Sequence, residues 1–345
     1  MKLRSRLRIV REIARDLLGL KPGDALLGIR DETLFFSEGW GDLEKIERLR
    51  SSRLLEEDPK PLDVTRDEIR QEPDGSTRKF ASFRSPMPEE FLPEVARTAR
   101  VQLLLPKGYT TETPIVIVFP MTGDEGYEFR EGRVCQPMLR RGIGTLVLEG
   151  PFYGVRRPTY QKNYFFNTVH DLMAMSIAAS LEGRAMLTEL RARGFTKLGV
   201  AGQSQGGMVA SVVASLTPFP VFAAISLAAH SPEVILSQGL LRSFVNWSAL
   251  DLPSMEEAQS RLRELLKVGD VLLRPPPVAP QCAFLQAGRG DLISPTWSVR
   301  KIHDHWKGST LEWLYATHAT TLSWHCHRFV RLVAHAAASE LPSQV

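Results

Sequence analysis

An α/β fold on one mostly parallel sheet is the class this sequence predicts, and three observations predict it. From Lys79 onward, short apolar runs alternate with longer stretches of helical periodicity, the pattern of strands covered on both faces by helices. Within that alternation VAGQSQGGMVAS, residues 200–211, sets a serine between one apolar run and a second, Ala-rich one. Two later apolar runs lead into RGDLISP and ATHATT, so that an aspartate and a histidine each follow a strand and precede a helix. With 345 residues, 43% hydrophobic and 24% charged, the chain can hold one large core with an insertion.

In chain order, residues 2–18 and 42–57 read as charged amphipathic helices separated by KPGD and the aromatic FFSEGWGD stretch. The Pro- and charge-rich segment 59–74 reads as a linker, so residues 1–75 are expected to form a helical extension ahead of a domain at 76–345. Eight strands are expected in that domain: KFASF, RVQLLL, IVIVF, GTLVLE, KLGVA, VFAAISL, CAFLQAG and TLEWLY. The helices between them are Arg130 to Arg141, Val169 to Arg193, Met208 to Leu216, Thr296 to Trp306 and Thr320 to Ala338. Residues 228–280 interrupt the alternation with two helix-like segments, Glu233 to Asn246 and Met255 to Val268, before RPPPVAP. That is far more than an ordinary loop, and it predicts an inserted helical cap over the sheet edge.

Composition narrows the class. Cys135, Cys282 and Cys326 form no metal or redox spacing, and their odd number argues against a disulfide framework. No apolar run approaches the ~20 residues that span a bilayer, and the amino terminus lacks a secretory apolar region, so a cytoplasmic chain is expected. Of the net charge of +4, residues 1–30 hold eight Lys or Arg against three acidic residues. The remainder is close to neutral, which speaks against nucleic acid as a partner of the main domain.

GQSQG alone is a weak signal, because a GxSxG match arises by chance in roughly one chain in ten of this length. Its flanks strengthen it. A strand at 197–201 and a helix from Met208 put Ser204 at the apex of a sharp turn, where Gly202 and Gly206 leave room for a strained serine. A nucleophilic serine needs a base to take its proton and a carboxylate to orient that base. In α/β-hydrolases these follow in the order Ser, Asp or Glu, then His, on loops after successive strands. Asp291 and His318 meet that order. Asp291 could also simply cap the helix that follows it.

Seven other histidines fit less well. His303 and His305, like His325 and His327, stand two apart on expected helices and face different ways, which makes a poor metal site. His170 and His335 lie within helices and His230 opens the cap. No metal is expected. For the oxyanion, the fold supplies one amide from the residue after the nucleophile and one from the loop after the third strand. Here these are Gln205 and, in FPMTGDEGY, Met121 or Thr122. Asp124 and Arg130 in the same loop are expected to form a structural ion pair. In LEGPFYGVRRP, another loop at this edge, Tyr153, Arg156 and Arg157 are candidates for substrate contact, guanidinium being suited to an anionic head group; adjacent arginines are more often structural.

The chain resembles the α/β-hydrolase domain-containing protein 18 family from about Phe35 to the last helix. The resemblance is carried by GWG at 39–41, FRSP at 83–86, TGDEGY with Arg130, LEGPFYGVRRP, VHDLMAM, LGVAGQSQGGMVAS, GLLRSFVNW, and GDLISP paired with ATH. It implies an α/β-hydrolase fold with Ser204, Asp291 and His318 as the triad. The chain departs from the family pattern, which has Met after the serine, Gly at position 121 and Gly before the histidine, where this chain has Gln205, Met121 and Thr317.

The function these residues suggest is a serine hydrolase cleaving an acyl or lipid-like carboxylic ester through an acyl-enzyme, with no cofactor. A thioesterase or peptidase would use the same triad, and a non-catalytic binding protein could keep the fold alone. At the amino terminus Leu3, Leu7, Val10, Ala14 and Leu17 form an apolar stripe beside Arg4, Arg8, Arg11 and Arg15. It would pack on the hydrolase core; the alternative is that residues 1–18 lie on an anionic membrane as a peripheral contact.

Overall fold

Nine strands form one mixed sheet: β1 (Thr65–Gln71), β2 (Thr77–Arg84), β3 (Thr98–Leu105), β4 (Ile115–Phe119), β5 (Gly144–Leu148), β6 (Leu198–Gln203), β7 (Phe222–Ser226), β8 (Ala283–Gly288) and β9 (Thr310–Leu314). The computed structural model describes residues 34–59 and 61–342; the stripe expected at 2–18 lies outside them. The strand order is β1-β2-β3-β5-β4-β6-β7-β8-β9. β1, β2, β3 and β5 pair antiparallel, and every pair from β5 to β9 is parallel.

The eight expected strands are β2 to β9. β1 is an addition, formed by TRDEIRQ inside the stretch read as a linker. All seven of its residues are exposed, so no apolar alternation marks it. What holds it is the hairpin to β2: Glu72 donates its amide to Ser76 O at 2.9 Å, Asp74 Oδ1 accepts the Ser76 amide at 2.9 Å, and Gly75 takes φ +83°. Asp-Gly is a favoured hairpin turn, and a charged edge strand resists pairing with other chains.

The central strands β4, β5 and β7 are buried at all five of their positions, as parallel strands covered on both faces must be. One face carries the helices α1 (Leu43–Ser51), α2 (Val169–Ala192) and α3 (Gln205–Leu216), with Val299, Ile302 and Trp306 from and just after α5 (Thr296–His305). α4 (Met255–Leu266) belongs to the insertion between β7 and β8. The other face is covered by the helical stretch 128–139, which contains a π turn at Glu131–Cys135, and by α7 (Cys326–Ala338). Between β9 and α7 stands the short α6 (His318–Ser323).

Two expected helices come out divided. Thr320 to Ala338 breaks because the His325 amide reaches back five residues to Thr320 O at 3.0 Å, closing α6 before α7 starts. No Gly or Pro announces this break. Glu233 to Asn246 divides into a π turn (Val234–Gln238) and a 3₁₀ turn (Leu240–Phe244) around an extended Gly239. A Cβ on Gly239 would stand 2.6 Å from Ile293 O, so glycine lets the insertion settle against the segment after β8. The segment 35–41 ties the insertion to the body: Phe35 exchanges backbone hydrogen bonds with Phe244 and Asn246 at 2.7 and 2.9 Å, and the Phe36 amide reaches Phe166 O at 2.8 Å. Because β4 to β9 all point the same way, their carboxyl ends share one edge, and six loops meet there.

Candidate active site

Three of those loops bring Ser204, Asp291 and His318 together. β6 ends at Gln203, α3 starts at Gln205, and Ser204 between them holds φ 55°, ψ −123°. A non-glycine residue there is strained and must be held by its surroundings. Two glycines permit the turn: a Cβ on Gly202 would stand 2.2 Å from the Gly206 carbonyl carbon, and one on Gly206 would stand 2.5 Å from Phe119 O. The Ser204 amide is anchored on Ser226 O of β7 at 2.9 Å.

His318 Nε2 lies 3.0 Å from Ser204 Oγ, and His318 Nδ1 lies 2.8 Å from Asp291 Oδ2. Asp291 does not cap α5, whose N-cap is Pro295, but fixes the turn ahead of it. Its other oxygen, Oδ1, accepts the amides of Ile293 and Ser294, both at 2.8 Å, which fixes the carboxylate and leaves Oδ2 to the imidazole. His318 opens α6, and Thr317, standing where the family pattern has glycine, forms a capping box with Thr320. That box sets the helix from which the imidazole projects. All three residues are buried, at 8, 6 and 2% exposure for Ser204, Asp291 and His318, so their contacts are shielded from water.

The loop after β4 turns tightly over Met121–Asp124: the Asp124 amide reaches Met121 O at 3.1 Å and Gly123 takes φ +79°. Glycine suits the third position of such a turn. Thr122 lines the same cavity as Ser204, and its hydroxyl donates to Gln205 Oε1 at 2.6 Å. Met121 instead lines a separate small cleft with Asp124, Arg130 and Phe329. Among the described residues no protein group accepts from the backbone amides of Thr122 or Gln205. Behind the turn Arg130 lies 2.7 Å from Asp124 and donates to the carbonyls of Val118, Leu148 and Gly126, clamping the loop to the ends of β4 and β5. Burial pushes the Asp124 carboxyl up from its ordinary value, against the pull of Arg130.

The candidates for head-group contact are placed elsewhere. Arg156 is fully buried; it donates to Glu182 at 2.6 and 2.9 Å, and to the carbonyls of Glu149 and Ala96 at 2.7 and 2.6 Å. Arg157 pairs with Glu125 and lies over the Tyr164 ring at 5.2 Å. Arg156 is thus paired inside the protein and Arg157, partly exposed, is paired with Glu125, the structural use that adjacent arginines more often have. Tyr153 is also buried. Its hydroxyl donates to Tyr164 O at 3.1 Å and stands 3.4 Å from Gln205 Oε1, and burial pushes its phenol well above the ordinary range. Tyr153 therefore packs behind Gln205 with its one proton directed to Tyr164 O.

A buried ion pair is costly to break on one side only. Glu182→Gln, which leaves the Arg156 charge without its partner, is expected to lower unfolding free energy by about 3 to 5 kcal/mol in urea titrations. A loss below about 1 kcal/mol would mean that the carbonyls of Ala96 and Glu149 suffice to hold that guanidinium.

Ser204 opens on an apolar cavity. Its walls come from α2 (Leu172, Ser176, Ile177, Ser180), α3 (Met208, Val209, Val212), the insertion (Pro232, Ile235, Leu236, Leu241, Val268) and, from the amino-terminal segment, Phe35 and Leu55. No charged side chain lines it among the described residues. Sequence reading located the insertion as a wall but not Phe35 or Leu55. Only tertiary packing brings them there, and no local pattern signals it. Among the described residues no cluster of His, Cys, Asp and Glu is arranged to hold a metal ion, and no helix is long and apolar enough to cross a membrane.

Residues 33–264 match the family model described as alpha/beta hydrolase domain containing 18. The matched stretch includes Ser204 and ends before Asp291 and His318. Among solved structures, the chain is similar to an acetyl xylan esterase from Paenibacillus sp. R4, at 14% identity over 88% of this chain and 99% of that one, with a TM-score of 0.57. It is also similar to acetyl xylan esterase 1 from Thermoanaerobacterium sp. JW/SL YS485, at 12% identity over 87% and 97% of the two chains, with a TM-score of 0.55. At these identities the likeness establishes the fold, an α/β-hydrolase sheet with its helices.

Proposed function

This chain belongs to the alpha/beta hydrolase domain containing 18 family, and on that premise we propose that it is a serine hydrolase cleaving carboxylic esters whose acyl part is aliphatic. The observation that carries the reading is the hydrogen-bonded line from Asp291 through His318 to Ser204, ending at the mouth of an uncharged, apolar cavity.

In the reaction, Ser204 Oγ attacks the ester carbonyl while His318 Nε2 takes its proton. Asp291 Oδ2, held in place by the two amides on Oδ1, keeps Nδ1 protonated and stabilises the imidazolium that forms. The carbonyl oxygen becomes an oxyanion, met by the amides of Gln205 and Thr122. When the tetrahedral intermediate collapses, the carbon–oxygen bond to the alcohol breaks and His318 returns the proton to the leaving oxygen. Water then attacks the acyl-enzyme, with His318 again as base, and releases the acid and free Ser204. The Gln205 side chain is the chain's own feature here. By accepting from Thr122 it couples the two segments that carry the oxyanion donors, so their spacing is set before substrate arrives.

The experiment is hydrolysis of a soluble aliphatic ester by the purified chain, followed by release of acid. Turnover that is abolished by an organophosphorus inhibitor is expected. No turnover across aliphatic esters, in protein that unfolds cooperatively, would favour a binding role for the same cavity.

A further inference from the structure

We infer that the cavity is a channel of limited length for a medium aliphatic chain, closed at its far end by Val212, Ser180 and Leu55; the inference rests on the serine-hydrolase reading above. The direction of the channel follows from two contacts between α2 and α3. Gln205 Nε2 lies 3.1 Å from Met175 Sδ, and Arg184 Nε donates to Leu216 O at 3.1 Å. The helices therefore run side by side in the same direction, and residues about 30 apart in sequence face each other. Lining positions then fall in order from the nucleophile: Met208 and then Val212 along α3, Leu172, Ser176 and then Ser180 along α2.

Leu55 belongs to the far end as well, because Arg184 Nη1 donates to the Leu55 carbonyl at 2.8 Å. The segment ahead of the sheet thus supplies the stop, while the insertion supplies a side wall. The two serines do not make the channel polar. Ser176 donates to Leu172 O and Ser180 to Ser176 O, each at 2.8 Å, so both hydroxyl protons are taken by the helix itself. Such a wall suits hydrocarbon and offers a head group no charge partner.

Length follows from helix geometry. Eight residues separate Ser204 from Val212, which is about 12 Å of helix. With carbon–carbon bonds of about 1.5 Å in a zigzag, a span of about 12 Å takes roughly ten carbons. A shorter chain leaves apolar wall unburied, and a longer one meets buried side chains at the stop.

The test is the kcat/KM series for esters of straight-chain acids from acetate to palmitate on one common alcohol, with fluorophosphonate labelling of each protein alongside. Wild type is expected to improve from acetate to about decanoate and to fall about tenfold or more by palmitate. Val212→Phe is expected to lower the decanoate-to-acetate ratio about tenfold, and Leu55→Ala to raise the palmitate-to-decanoate ratio several-fold. A wild-type profile that peaks at acetate, or stays level to palmitate, overturns the channel length while labelling leaves the hydrolase reading standing. Unchanged ratios in a labelled variant do the same. Should Val212→Phe fail to fold, the wild-type profile and Leu55→Ala decide the matter. Absence of labelling in folded wild type removes the hydrolase reading and the channel with it.

Discussion

Ser204→Ala is expected to lower turnover of an aliphatic ester by about 10⁵- to 10⁶-fold, the scale seen when a nucleophile that works as part of a triad is removed. The change deletes one hydroxyl and its 3.0 Å contact with His318, and keeps the Cβ that the surrounding turn already accommodates. The strained backbone at φ 55° is as accessible to Ala as to Ser, so thermal unfolding should stay close to wild type. Stopped turnover with an unshifted melting curve is the combination that matters. Activity within about tenfold of wild type would assign the chemistry to another group.

Asp291→Asn is expected to lower kcat by about 10⁴-fold with only a small change in KM. The amide oxygen can still accept from Ile293 and Ser294, so the loop keeps its shape. Its nitrogen then faces His318 Nδ1 as a donor, where the carboxylate accepted. The neutral imidazole must answer by placing its proton on Nε2, and a protonated Nε2 cannot take the proton of Ser204. Steady-state kinetics on one ester measure both parameters. A near-normal kcat would show that Asp291 serves only the turn 291–294.

Much of this was legible in the sequence because the relevant signals are local. A strand packed on the core reads as a short apolar run, and β2 to β9 each show one. The positions of Ser204, Asp291 and His318 followed from asking what stands just after a strand and just before a helix, a question that secondary structure alone answers. What stayed hidden depends on distant partners. β1 has no apolar pattern, since the hairpin that holds it needs only backbone pairing and the Asp74-Gly75 turn. The partners of Arg156 and Arg157 cannot be read from the local sequence, because Glu182, from the middle of α2, and Glu125 meet them only in the closed fold. Phe35 and Leu55 sit in segments whose local pattern is charged and helical or aromatic, and only the closed fold makes them walls of the cavity. Thr317 and Gln205 looked like departures from the family pattern. In the fold each makes hydrogen bonds that steady the site, Thr317 through the cap of α6 and Gln205 through Thr122.

The central claim is that Ser204 is a nucleophile activated by His318, and covalent capture tests it most directly. The folded chain is treated with a fluorophosphonate, digested, and its peptides mapped by mass spectrometry. The account predicts one adduct, on Ser204, forming in wild type and absent from Ser204→Ala. Folded wild type that takes no label, or an adduct on another residue, would contradict it.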